Sequence, residues 1–129
     1  MAVAGMNHFT ILTDDLASTL AFYEEHLGLK PGPRPPFAFP GAWLYASGSG
    51  EAILHVIDGA EPKALVKGVI DHMAFSGTDL AGTVGRLKAK GIAFDLRRLP
   101  GYHTWQLFFV DPNGAKVEID FDPAEAAPA

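Results

Sequence analysis

The chain has no cysteine in its 129 residues. A disulfide framework and a thiolate metal site are therefore excluded, and any bound metal must be held by histidine and carboxylate. Positive charge is also scarce: 10 Lys and Arg face 15 Asp and Glu, a formal net charge of −5. A duplex-binding surface needs clustered cations to neutralise phosphates, so nucleic acid is not an expected partner. No apolar run approaches the roughly 20 residues of a membrane span. Met1 to Met6 lacks the basic end and apolar run of a signal peptide. The expected setting is cytoplasmic, with no membrane partner. What remains is 48% hydrophobic and 19% charged, the composition of one folded domain over 1–129. The small residues and prolines of Asp122 to Ala129 read as a frayed tail.

The most informative internal feature is a repeat. Asp15-Leu-Ala-Ser-Thr19 returns 64 positions later as Asp79-Leu-Ala-Gly-Thr83, and the same offset links His8 to His72, Leu20 to Val84 and Tyr23 to Leu87. In both copies an Asp suited to N-capping starts an apolar series, 16, 20, 23 and 80, 84, 87, with the spacing of one helix face. These helices are expected to end near Gly28 and Gly91. A β-prone segment precedes each, Asn7 to Thr13 and Ile70 to Gly77, and three candidate strands follow each. The fold class is therefore α+β, built from two βαβββ modules, about 5–58 and 68–122, joined by a linker at 59–67. Asp111-Pro-Asn-Gly114 is expected to turn the last hairpin, with Ser47-Gly-Ser-Gly50 as its counterpart. Pro31 to Gly41 forms a long stiff loop, suited to covering a site or to serving as a polyproline ligand.

Strand alternation sorts the polar residues. His8, Thr10 and Leu12 share one face of their strand, and His72, Ala74 and Ser76 share one face of theirs. The greasier opposite sides should meet the helices, leaving both imidazoles on the other face. Lys116, Glu118 and Asp120 alternate with Val117, Ile119 and Phe121, which puts Glu118 on the face away from the helices. His55, which shares a face with Ile53 and Ile57, lies 63 positions before Glu118, nearly the repeat offset. His8, His55, His72 and Glu118 are thus candidate ligands for one divalent metal ion per site, Fe, Mn, Co, Ni or Zn, with coordination room for a small oxygen-bearing substrate. His55 is open to three readings: a fourth ligand, a catalytic acid or base, or a strand histidine among apolar neighbours. Glu118 is either a ligand or part of a solvated edge. His103, before a strand, is a candidate acid or base or else a solvated loop residue. His26, at a helix end, reads as a surface residue that favours the helix dipole, and Trp43 and Tyr45 as packing. For Gln106 and Phe108, parity leaves open whether their face or that of Trp105, Leu107 and Phe109 lines the site.

The ordered set Asn7 to Tyr23 followed by Leu27-Gly28, then Ile70-Asp-His-Met-Ala-Phe75, then Asp111-Pro-Asn-Gly-Ala-Lys-Val-Glu118 resembles the vicinal-oxygen-chelate superfamily, which includes glyoxalase I, bleomycin resistance proteins and extradiol dioxygenases. The resemblance implies paired βαβββ modules in a cupped mixed sheet, commonly in a homodimer. It implies metal ligands at His8, His72 and Glu118, with His55 as a fourth in the glyoxalase I arrangement, where the corresponding Glu is a catalytic base. It favours Gln106 and Phe108 as substrate-binding residues, and fosfomycin-resistance transferases share the His8-x-Thr10 start, which adds Thr10. The leading expectation is a metal-dependent lyase or isomerase acting on a small substrate with vicinal oxygens, with Glu118, His55 and His103 as catalytic candidates. An extradiol-type ring-cleaving dioxygenase and a metal-free drug- or ligand-binding protein are the alternatives. The dioxygenase tyrosine would fall near Phe108, which cannot donate a proton.

Overall fold

The computed structural model describes residues 2, 5–59 and 70–129. The chain divides into two compact units, Met1–Lys63 and Ala64–Ala129. Apart from Gly59, the expected linker 59–67 lies outside the described residues. The first unit runs β1 (Phe9–Thr13), α1 (Leu16–Leu27), β2 (Lys30–Pro31), β3 (Gly41–Tyr45), β4 (Ala52–Asp58). The second runs β5 (Met73–Ser76), α2 (Leu80–Ala89), β6 (Phe94–Arg98), β7 (Trp105–Val110), β8 (Lys116–Phe121). Each unit is therefore a βαβββ module, as the repeat predicts. Each holds one four-stranded mixed sheet, ordered β1-β4-β3-β2 and β5-β8-β7-β6. The first and last strands pair in parallel in both, because the helix carries the chain back across the sheet, while the remaining pairs are antiparallel hairpins.

The two helix starts are built alike. Asp15 accepts a hydrogen bond from the backbone N–H of Ser18, and Asp79 accepts one from Gly82. The Thr19 and Thr83 hydroxyls each donate to the carbonyl of the capping Asp, at 2.8 Å in both copies. The copies differ one step earlier. In the first, Thr13 accepts from the backbone N–H of Asp15 and bonds the Thr19 hydroxyl. The second has Gly77 at this position, where an added Cβ would lie 2.5 Å from the Cγ2 of Ile119. A side chain there would overpack the unit's core.

The face of α2 is the expected one, with Leu80, Val84 and Leu87 buried alongside Thr83. The face of α1 is rotated from expectation. Thr19, Phe22, Tyr23 and His26 are buried, whereas Leu16 and Leu20 are only half-buried. The threonine pair draws this edge of the helix onto β1, and hydrophobicity alone did not reveal it. His26 is correspondingly not a surface residue: it is 3% exposed, and its ring lies 4.9 Å from that of Phe22.

In the first unit the core gathers Tyr23, Leu44, Leu54 and Val56; in the second it gathers Leu80, Leu87, Leu107, Val117 and Phe121. Strand β2 has two residues where its counterpart β6 has five. Proline supplies no N–H to a ladder, and Pro31, Pro33, Pro35 and Pro36 end the pairing there. Among the described residues no helix is long and apolar enough to cross a membrane.

The β7–β8 turn is held by Asp111, which is 4% exposed. Its Oδ1 accepts from the backbone N–H groups of Asn113 and Ala115, both at 2.8 Å, and Gly114 takes φ 90°. Asp111→Ala leaves both donors without that acceptor and is expected to lower the unfolding free energy by about 2 kcal/mol. Asp111→Asn, which keeps an oxygen in place, should cost less. Urea unfolding of the two variants checks the order.

Candidate functional site

His8 and His72 stand one residue ahead of β1 and β5, so the strand ladder fixes their Cα positions without enclosing their rings. Each ring is oriented by the side chain just before it. His8 Nδ1 lies 2.7 Å from Asn7 Oδ1, and His72 Nδ1 lies 2.8 Å from Asp71 Oδ2. Both partner atoms are acceptors, so each Nδ1 donates, and in a neutral imidazole the lone pair falls on Nε2. Asn7 and Asp71 are themselves 64 positions apart. The repeat therefore duplicates the orienting contact along with the histidine. Sequence reasoning missed it, although the offset pointed to it.

In the first unit His55 on β4 stands directly opposite Trp43 on β3 and beside Thr10 on β1. Three rings stack in series: His8 on His55 at 3.8 Å and 14°, and His55 on Trp43 at 4.1 Å and 10°. Trp43, expected to serve packing, packs on the His55 ring. Burial, followed by the positive potential of His8, holds the His55 pKa below the usual imidazole value. Folding favours its neutral form, which can accept a proton or ligate a cation. Thr10 lies exposed on the same strand face as His8.

In the second unit Glu118 is 5% exposed, and its Oε2 lies 2.6 Å from His72 Nε2. Its other oxygen, Oε1, accepts a hydrogen bond from the Gln106 side-chain amide at 3.0 Å. The strand register settles the parity question, because Phe108 pairs with Glu118 and Gln106 with Asp120. Gln106 and Phe108 therefore share the face of Glu118. The Phe108 ring meets His72 edge-on at 5.7 Å, with Arg97 and Lys116 against it at 4.6 and 5.1 Å. Asp120, on the same face, has its pKa raised to about 6 by burial, by a hydrogen bond to Glu118 and by the charge of Glu118, with His72 pulling the other way. It is a titratable neighbour that the β8 alternation had already placed beside Glu118.

The four expected ligands thus come together as two pairs, His8 with His55 and His72 with Glu118, one pair in each unit. Among the described residues no group of three or more His, Cys, Asp or Glu side chains is arranged to hold a metal ion. His103 is exposed at the β6–β7 turn, with φ 60°. Its backbone N–H donates to Leu99 and its carbonyl accepts from Arg98, so its described contacts are those of a turn residue.

The fold agrees with comparison to known proteins. Residues 5–119 match the family described as the Glyoxalase/Bleomycin resistance protein/Dioxygenase superfamily. An Arabidopsis thaliana protein named Glyoxylase I 4 is 31% identical over 126 residues, covering 91% of this chain and 70% of that protein. The chain belongs to this superfamily. Two solved structures share the fold. One is a variant of the fosfomycin resistance protein FosX from Listeria monocytogenes, complexed with Mn(II) and 1S,2S-dihydroxypropylphosphonic acid. It has a TM-score of 0.73 and 17% identity, covering 94% of each chain. The other is lactoylglutathione lyase from Agrobacterium tumefaciens, with a TM-score of 0.65 and 20% identity, covering 98% of this chain and 100% of that one.

Proposed function

We propose that the chain is a single-domain, metal-dependent lyase or isomerase for a small substrate with vicinal oxygens, working as a homodimer, with His8, His55, His72 and Glu118 as ligands of one divalent ion. The observation that carries the reading is the duplicated histidine tether. A metal-binding imidazole characteristically gives its second ring nitrogen to a carbonyl or carboxylate, which fixes the tautomer and aims the lone pair. Asn7 and Asp71 do this for His8 and His72. His72 Nε2 and Glu118 Oε2 also stand side by side, which brings an imidazole and a carboxylate of the proposed ligand set together. The donor chemistry, imidazole and carboxylate without thiolate, suits Fe, Mn, Co, Ni or Zn, and the superfamily includes a protein crystallised with Mn(II).

A bound divalent ion would polarise the substrate oxygens and stabilise a developing oxyanion. The chain's own residues supply the rest. Gln106 steadies Glu118 through Oε1. His55, held neutral, keeps a ring-nitrogen lone pair available for the ion. Thr10 and Phe108 flank the pairs as substrate contacts. His103 is retained only as a further acid or base.

The reading predicts a stoichiometric divalent metal in protein purified without chelators, measured by elemental analysis. It also predicts oxygen-independent turnover of hemithioacetals. Protein that holds no metal after reconstitution with each of the five ions would sink the enzyme reading in favour of a ligand-binding one. Oxygen uptake with catechols would replace the lyase by a dioxygenase.

A further inference from the structure

The loop between β2 and β3 spans residues 32–40, longer than its counterpart at 99–104 in the second unit, and none of the chemistry above uses it. It holds four prolines, at positions 33, 35, 36 and 40, just after Pro31 at the end of β2, and it is pinned along its length. Gly32 N–H donates to the Trp43 carbonyl, Tyr45 Oη to the Pro33 carbonyl, and Asp58 N–H to the Pro40 carbonyl. Arg34 donates to the Phe39 carbonyl at 2.9 Å. Gly41 then enters β3 so closely that a Cβ would lie 2.2 Å from the Val56 carbonyl oxygen.

This rigid loop displays two aromatic rings rather than hiding them. Phe37 and Phe39 are 43% and 42% exposed. They stack on one another at 4.9 Å and 14°, with the Arg34 guanidinium 5.0 and 5.1 Å from their centroids. Phe37 also lies 6.4 Å from Trp43, and Trp43 stacks on His55, which stacks on His8. A continuous series of rings therefore leads from solvent to the histidine pair. Apolar rings gathered side by side on the surface of an ordered loop mark a candidate binding surface.

We propose that Phe37 and Phe39 are a recognition platform for an aromatic ring on the substrate, and that the vicinal oxygens of such an aryl substrate lie at the Trp43 end of the series. The occupant follows from this continuity: a group anchored at His8 and His55 and extending outward meets ring faces and edges at each step. The cationic Arg34 also suits the electron-rich face of an incoming ring. This assignment rests on the metal-dependent reading for the position of the oxygens but not for the ring preference.

The test compares mandelate with lactate, two α-hydroxy acids with the same vicinal oxygens that differ in bearing phenyl or methyl. In a Trp105→Phe background Trp43 is the only tryptophan, and its quenching reports binding with metal content measured on the same samples. Mandelate is expected to bind at least about tenfold more tightly than lactate. Phe37→Ala with Phe39→Ala should remove that preference while leaving lactate binding and metal content unchanged. Equal affinities in protein with the metal bound, or a preference that survives the double substitution, overturn the platform and leave the metal reading standing. If no metal is taken up, the metal reading fails by itself, and the same mandelate-to-lactate comparison on the apo protein decides the platform. A lower native mass in the double variant with the mandelate preference intact assigns the rings to a contact between copies of the chain and overturns the proposal.

Discussion

Glu118→Gln is expected to weaken divalent-metal binding by at least about 100-fold while leaving the fold intact. The bound is conservative, since changes to groups that only orient a ligand already cost about 10- to 100-fold, and this one removes an anionic donor. The substitution is nearly isosteric, and the glutamine carbonyl can still accept from the Gln106 amide that now bonds Glu118 Oε1 at 3.0 Å. Thermal unfolding of the apo protein should therefore hardly move, while isothermal titration with Mn(II) or Zn(II) should lose most of its signal. Asp71→Asn is the informative companion, because it keeps an acceptor for His72 Nδ1 and removes the charge, so its effect should be smaller. A Glu118→Gln protein that binds metal as wild type does would remove Glu118 from the ligand set.

Leu107→Ala is expected to cost about 2–5 kcal/mol of stability. Leu107 is 0% exposed and is flanked across the sheet by Leu96 on β6 and Ile119 on β8. Both neighbours are held by strand pairing and can collapse only partly into the vacated space, so the cavity adds to the lost transfer free energy. Total stabilities of small domains are about 5–15 kcal/mol, which makes this a large fraction of the whole. Val110→Ala on the same strand, at a position 52% exposed, should stay within about 0.5 kcal/mol. Denaturant unfolding of both variants provides the comparison, and equal losses would contradict the assignment of the core.

The module architecture was legible in the sequence because the signals were local and appeared twice. A capping Asp, a helical spacing and a histidine recurred at one offset, and a register of coincidences is harder to produce by chance than any one of them. The β8 alternation likewise placed Glu118 and Asp120 on one face. What escaped was set by partners distant in the chain. The burial of Thr19 and His26 depends on where α1 lies against β1, and no count of hydrophobic residues contains that. That Trp43 packs on His55 in particular follows from the β3–β4 register. The face of Gln106 and Phe108 required the pairing of Phe108 with Glu118. Asn7 and Asp71 were readable from the repeat, yet a polar residue beside a histidine carries no signal of its own until both rings are seen turned the same way.

The two tethers, alike in geometry, are not alike in chemistry. His8 leans on a neutral amide and His72 on a carboxylate, so the second tether places a negative charge behind its imidazole where the first places none. Lys116, 3.3 Å from the same Asp71 oxygen, tempers that difference without reversing it. At the proposed metal site the two histidines would therefore be unequal partners, His72 backed by a charge and His8 by a dipole alone.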